Sequence, residues 1–172
     1  LTLTLPGPIL GEESRSETHG SYALPLGPYD GQTVPSRQVD GAVDQRAYQL
    51  DTPELTTLAA LTALRDQIIA AGFEVAFLCD TRACGGFDFR FGTDVLPEPD
   101  MHVDLGDFRF LSATKGGEAV SVLVSRSATS VYVQITRVSP SALPPPLTGA
   151  SVDLEAEVPR NTPAPVAGDI SG

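Results

Sequence analysis

Two cysteines are the side chains best placed to do defined chemistry in this sequence. Cys79 and Cys84 are separated by four residues, between a predicted strand and the glycine pair Gly85 and Gly86. A turn of this length brings two cysteines within disulfide range, and so short a bridge contributes about 2 kcal/mol to folding stability. The predicted disulfide indicates an oxidising compartment. Two free thiols are the alternative, while a redox dithiol is usually spaced more closely and a zinc site needs further ligands.

An acidic loop at residues 92–104 holds the candidate metal ligands, which are Asp94, Glu98, Asp100, His102 and Asp104. Several oxygen ligands in one loop suit calcium. Their spacing matches no EF-hand loop, and Pro97 and Pro99 stiffen the backbone where the ligands would converge. A solvated acidic connection is therefore the favoured interpretation, with a weak calcium site as the alternative, and we assign no metal.

The sequence predicts no catalytic residue. It contains no Gly-x-Ser-x-Gly elbow, and neither His19 nor His102 neighbours a candidate nucleophile. Pairs of carboxylates that could form a glycosidase site arise by chance among 22 Asp and Glu residues. Glycine pairs such as 85–86 and 116–117 belong to turns rather than to a strand-to-helix phosphate loop. We therefore expect a non-enzymatic protein without a cofactor.

Charge and proline are unevenly distributed along the 172 residues. A net charge of −11 argues against a nucleic-acid partner, because phosphate contacts need clustered Lys and Arg. No apolar run is long enough to span a membrane. Twelve of the 15 prolines and more than half of the excess negative charge lie outside residues 36–138. We predict an extended N-terminal arm at 1–35, partly packed on the body, an α+β domain at 36–138, and a Pro-rich linker or tail at 139–172.

The body contains one clear helical pattern. We expect the helix to begin at an N-cap, Thr52, with Pro53 in its first position, and to end at Gly72. Its apolar stripe would be formed by Leu55, Leu58, Leu61, Leu64 and Ile68.

Six further segments have strand character, at 42–50, 73–79, 86–91, 107–114, 118–126 and 130–138. Short turns at 115–117 and 127–129 join the last three strands as a meander. The predicted fold is therefore α+β, an antiparallel β-sheet of about five to six strands with one main α-helix packed on one face and extended Pro-rich tails.

The two terminal parts hold the candidate partner-binding residues. The alternation of Leu1, Leu3 and Leu5 predicts a short strand, and 22–26 is a second extended candidate. Both could pack on the body, and the leucines could add to the sheet edge of a neighbour. The polyproline-like spacer supplies the other candidates, which are Pro144, Pro145 and Pro146.

An ordered set of segments carries a resemblance to known proteins: 22–31 (YALPLGPYDG), 41–50 (GAVDQRAYQL), 70–75 (AAGFEV) and 84–87 (CGGF). Across residues 20–138 the chain resembles the region preceding the peptidoglycan-binding domain in some OmpA-family envelope proteins of Gram-negative bacteria, and is similar to periplasmic domains of unknown function. The resemblance implies a periplasmic or outer-membrane-associated protein with a removed signal peptide. It supplies no catalytic residues, and the peptidoglycan-binding domain itself is not recognisable here.

These observations favour a non-enzymatic envelope accessory or interaction module, tethered through its Pro-rich spacer to a wall-anchoring domain outside this chain. Its expected partner is another envelope protein or a second copy, and any peptidoglycan contact would belong to that outside domain. One alternative is a glycan-directed enzyme or small-ligand binder using acidic residues near 92–104, which requires a pocket with at least two carboxylates of opposed pKa shift. The other alternative is an oligomeric structural component of the envelope.

Overall fold

The computed structural model describes residues 1–141 and 148–154. The chain divides into two units, Leu1–Ala142 and Leu143–Gly172. The elements of the first unit are β1 (Ile9–Pro25), β2 (Ser36–Leu50), α1 (Thr57–Ala70), β3 (Glu74–Asp80), α2 (Thr81–Cys84), α3 (Gly86–Phe91), β4 (Phe108–Lys115), β5 (Glu118–Arg126) and β6 (Val131–Ser139). Residues 148–154 of the second unit are exposed. The candidates Pro144, Pro145 and Pro146 lie outside the described residues, and the division into arm, body and tail stays a prediction.

All six strands form one antiparallel sheet in the order β1-β2-β6-β5-β4-β3. The predicted turns join β4, β5 and β6 as a meander, and the hydrogen bond from Ser127 N–H to Ser130 O closes the second turn at 2.9 Å. The sheet and its one main helix confirm the coarse fold prediction. Its two edge strands are β1 and β3.

Helix α1 begins later than predicted. Its N-cap is Thr56, whose Oγ1 accepts a hydrogen bond from Ala59 N–H at 3.0 Å, so the prediction of a cap at Thr52 was wrong. The physical reason lies at the end of β5, where the Arg126 guanidinium donates to the carbonyl of Pro53 at 2.7 Å and to that of Leu55 at 3.3 Å. These two carbonyls therefore accept hydrogen bonds from the side chain of Arg126 rather than from main-chain N–H groups of a first helical turn.

The buried stripe of α1 differs from the predicted stripe at its first turn. Leu61, Leu64 and Ile68 are buried as expected, and they pack on valines of β5 and β6. Leu58 is 54 % exposed, and Ala60 is buried instead. The buried face is centred on Thr57, Ala60, Leu61, Leu64 and Ile68, which recur at spacings of three and four, and Leu58 lies at the margin of this face.

The N-terminal residues do not form the predicted short strand. Instead, Leu1, Leu3 and Leu5 are half-buried against the same core as α1. The Gln67 side chain holds this segment, because its Oε1 accepts from Thr4 N–H at 2.7 Å and its Nε2 donates to the Thr4 carbonyl at 2.9 Å. The segment is held against the core by these leucine side chains and by the two hydrogen bonds to Gln67.

The opposite face of the sheet is covered by the distal part of the β1–β2 hairpin, by α2 and α3, and by the 92–107 loop. The predicted extended segment at 22–26 is the end of β1, where Tyr22 and Leu24 are buried. The Tyr22 hydroxyl lies 2.7 Å from Ser121 Oγ on β5. The hairpin therefore contributes both an edge of the sheet and a part of the layer that covers it.

The predicted strand at 86–91 was wrong, because these residues form helix α3. Only Phe89 is buried, among the rings of Phe77, Phe108 and Phe110, whereas Phe87 and Phe91 are exposed. The alternation of phenylalanine with charged residues suggested a period of two. In the structure these residues instead follow the bridged turn of α2 as a short helix, which places one phenylalanine of three in the core.

Candidate functional site

The predicted disulfide is present at the junction between β3 and α3. The Sγ atoms of Cys79 and Cys84 are 2.08 Å apart, and the bridge ties α2 back onto the end of β3. The Cys84 carbonyl accepts a hydrogen bond from Tyr29 N–H at 2.9 Å. Beside it, Gly85 has φ of +119°, and a Cβ there would lie 2.6 Å from the Cβ of Tyr29. The hairpin tip therefore rests directly on the bridged turn, which only glycine fits.

Helix α3, immediately after this turn, presents an exposed aromatic pair with a cation. Phe87 and Phe91 are 59 % and 60 % exposed, and their ring centroids are 4.6 Å apart. The guanidinium carbon of Arg90 lies 4.5 Å from the Phe91 ring centroid, a cation–π geometry. We call Phe87, Arg90 and Phe91 the α3 cluster. Its position is fixed by Phe89, which points from the same helix into the core.

Arg90 has an unusual electrostatic position. It is half-buried, and burial lowers the pKa of its guanidinium, a shift that the nearby Glu98 only partly offsets. Among residues 1–141 and 148–154, no carboxylate lies within ion-pair distance of Arg90. The cluster thus combines apolar area with a cation that makes no ion pair within contact distance in the described part of the chain.

The carboxylates of the acidic loop do not converge. Asp94 pairs with Arg15 of β1 at 2.9 Å and accepts from Gln45 Nε2 at 3.3 Å. Glu98 lies 3.1 Å from His102 Nδ1, and Asp104 Oδ1 accepts from Gly106 N–H at 2.8 Å. Within the described ranges, no three His, Cys, Asp or Glu side chains are grouped so as to hold a metal ion.

The loop is instead anchored to the sheet by residues that the sequence prediction missed. Leu96 and Met101 are buried in the core on the sheet face opposite to α1. Gln134 on β6 accepts from Leu96 N–H at 2.8 Å and donates to the Asp94 carbonyl at 2.9 Å. Two apolar residues within an acidic loop were the signal that could have revealed this packing. The remaining candidate, Asp100, lies on a turn in which its main-chain N–H donates to the Pro97 carbonyl at 3.0 Å.

No protein-family model matches the chain, and no curated protein matches it. Among the helices of the described residues, none has both the length and the apolar character needed to cross a membrane.

Proposed function

We propose that this protein is a non-enzymatic accessory module of the cell envelope, and that it binds a partner protein through the α3 cluster. The observation that carries this proposal is the side-by-side exposure of Phe87 and Phe91, two of only seven phenylalanines in the chain. A folded protein gains little from exposing two adjacent aromatic rings, and large exposed apolar groups mark interaction sites. Aromatic side chains and arginine are also enriched where interfaces concentrate their binding energy.

The contacts that hold α3 in place favour recognition of the partner through a rigid surface of this protein. The disulfide, the hydrogen bond from Tyr29 to Cys84 and the buried Phe89 hold the helix at three points. A surface that is already ordered loses little conformational entropy on binding. The matching surface of the partner would offer an apolar cleft for the two rings and a carboxylate for Arg90.

The arrangement of the acidic loop favours binding over hydrolysis. Asp94 and Glu98 are each engaged by a different basic side chain, Arg15 and His102 respectively. A glycosidase needs two carboxyl groups on opposite sides of one bond. The packing of Leu1, Leu3 and Leu5 against their own core similarly favours a different protein as the partner, rather than self-association through these leucines.

The location in the envelope is supported by the disulfide and by the resemblance of residues 20–138 to the region preceding an OmpA-type peptidoglycan-binding domain. In this proposal the module lies in the periplasm. The Pro-rich segment tethers it to a wall-anchoring domain outside this chain, and that domain would make any contact with peptidoglycan.

Photo-crosslinking in the native host tests the proposal. A photoreactive amino acid in place of Phe91 should give one discrete crosslinked product, because the cluster faces its partner. Adding Phe87→Ala and Arg90→Gln should abolish that product. The matched control carries the same amino acid in place of Ile9, which is 50 % exposed on the edge strand β1. Equal products from both positions, or none from position 91, would contradict the proposal.

A further inference from the structure

A second feature, separate from the α3 cluster, is a cavity of about 410 Å³ between the N-terminal segment and strands β1, β2 and β6. This volume lies within the range of about 300–1,000 Å³ that is typical of small-molecule sites. Part of its wall is apolar and is formed by Leu1, Leu3, Ile9 and Ile135. None of the residues lining it belongs to α3 or to the acidic loop.

The polar part of the cavity is organised around Arg46. Its guanidinium lies 3.0 Å from an oxygen of Asp44 and 3.7 Å from an oxygen of Glu12. These two carboxylates hold the Arg46 guanidinium in place. Tyr48 lines the same cavity. Burial, and then the proximity of Glu12, raise the pKa of its hydroxyl, which therefore keeps its proton and can donate a hydrogen bond.

Arg137 of β6 is the charged group of the cavity that takes no part in these ion pairs. It lines the cavity, is half-buried and lies opposite Asp44 in the pairing of β2 with β6. The Asp44 carboxylate bonds to Arg46 instead. Across residues 1–141 and 148–154, no carboxylate comes within ion-pair distance of Arg137. A partly desolvated guanidinium without a counter-ion is unfavourable, so an anion brought into the cavity gains a strong, charge-assisted contact.

We propose that this cavity binds a small aliphatic carboxylate. Arg137 receives the carboxylate, and the hydrocarbon part lies against Leu3 and Ile135. The two carboxylates already present are both engaged by Arg46, which leaves Arg137 to select the anion. A neutral ligand of the same shape gains the apolar contacts alone. This site shares no residue with the α3 cluster, so it neither depends on the proposed partner nor supports it.

Calorimetric titration of the full chain with octanoate tests this site, and octanamide serves as the neutral ligand of matched shape. We expect saturable octanoate binding at one site, with octanamide at least about tenfold weaker. Arg137→Gln should weaken octanoate binding by about tenfold or more and leave octanamide binding nearly unchanged. The matched control is Arg65→Gln, which removes the same charge from α1 outside the cavity and should leave octanoate affinity unchanged.

A second variant tests the sign of the electrostatic argument. Glu12→Gln removes a carboxylate from the cavity and should strengthen octanoate binding severalfold, because the anion then meets less repulsion. Urea denaturation of each variant establishes that it is folded. Absence of saturable octanoate binding to the unsubstituted protein would overturn the proposal. Equal octanoate affinity in Arg137→Gln and Arg65→Gln, or equal affinity for octanoate and octanamide, would overturn it as well.

Discussion

The main-chain N–H of Tyr29 donates to the carbonyl oxygen of Cys84 at 2.9 Å. This bond joins the tip of the β1–β2 hairpin to the disulfide-bridged turn that precedes α3. The turn is therefore constrained from two sides, covalently by Cys79 at the end of β3 and non-covalently by the hairpin. The position of the exposed aromatic pair on α3 depends on both constraints.

The close approach at this contact makes Gly85 the more demanding of two adjacent glycines. Gly85→Ala places a Cβ 2.6 Å from the Tyr29 Cβ at a backbone φ of +119°. We expect the free energy of unfolding to fall by roughly 3 kcal/mol, because left-handed strain and collision act together. Gly86→Ala is the matched control, since φ there is +58° and nothing lies within 4 Å of the added Cβ. It should cost only about 1 kcal/mol. Equal losses in urea denaturation would show that Tyr29 does not press on the turn.

Removal of the disulfide should weaken the domain without unfolding it. The bridge spans a sequence separation of five residues, so its loss in Cys79→Ala/Cys84→Ala should lower the free energy of unfolding by about 2 kcal/mol. Far-ultraviolet circular dichroism should remain unchanged. Hydrogen exchange at the Tyr29 amide should accelerate, because its acceptor Cys84 is released. Reductant should have the same effect on the unsubstituted protein and none on the double variant. Loss of the whole fold in reductant would contradict this expectation.

The buried Tyr22 hydroxyl makes stability depend on pH in the alkaline range. Burial raises the pKa of Tyr22 from 10.0 to about 12, an effect that exceeds the opposing hydrogen bond from Ser121. Between these values the folded state keeps a proton that the unfolded chain gives up. The free energy of unfolding should therefore decrease as pH rises, by about 2 kcal/mol between pH 10 and pH 12.

Tyr22→Phe is the control for this pH dependence. The variant should be less stable than the unsubstituted protein by about 1–2 kcal/mol near neutral pH, because the Ser121 hydroxyl loses its partner. It should lack the alkaline decrease that Tyr22 causes, so the two stability curves should approach each other above pH 10. The measurement is urea denaturation at closely spaced pH values, and an identical alkaline decrease in both proteins would assign it to other groups.

Two fully buried serines should respond differently to the same substitution. The Ser112 hydroxyl of β4 has no hydrogen-bond partner among residues 1–141 and 148–154, so Ser112→Ala should leave the free energy of unfolding unchanged or raise it by up to about 1 kcal/mol. The Ser125 hydroxyl of β5 accepts from Asp104 N–H at 2.8 Å and donates to the Asp107 carbonyl at 2.9 Å. Ser125→Ala should therefore cost about 2 kcal/mol. Equal costs in chemical denaturation would indicate that Ser112 has a partner after all.

The parts of the fold that sequence could predict are those in which local pattern and tertiary environment agree. The meander of β4, β5 and β6 follows from alternating valines and short turns, and α1 follows from its apolar spacing. The first half of β1 was missed, because an edge strand exposed on both faces shows no apolar alternation, as the run from Glu12 to His19 illustrates. Helix α3 was missed for the opposite reason, since its phenylalanines alternate as in a strand although the residues form a helix that buries only Phe89.

The candidate sites differ in the same way. Cys79 and Cys84 are close in sequence, so their pairing could be predicted locally. The exposure of Phe87 and Phe91 could not be predicted locally, because it depends on which phenylalanine of α3 is buried in the core. The position of Arg137 opposite Asp44 depends on the register between β2 and β6, which no local pattern fixes.

The pairing of β2 with β6 also determines when the sheet can become complete while the chain is being delivered. Ala42 pairs with Ser139, and Leu50 pairs with Val131, so the middle of the sheet joins the early and late parts of the described domain. A ribosome or an export channel delivers the chain from its N-terminus. The β1–β2 hairpin must therefore wait with one open edge until residues 131–139 have emerged. Pairings this distant in sequence are slow to form, so the sheet is completed only after residues 131–139 have emerged, and the hairpin is the segment that needs protection in the interval.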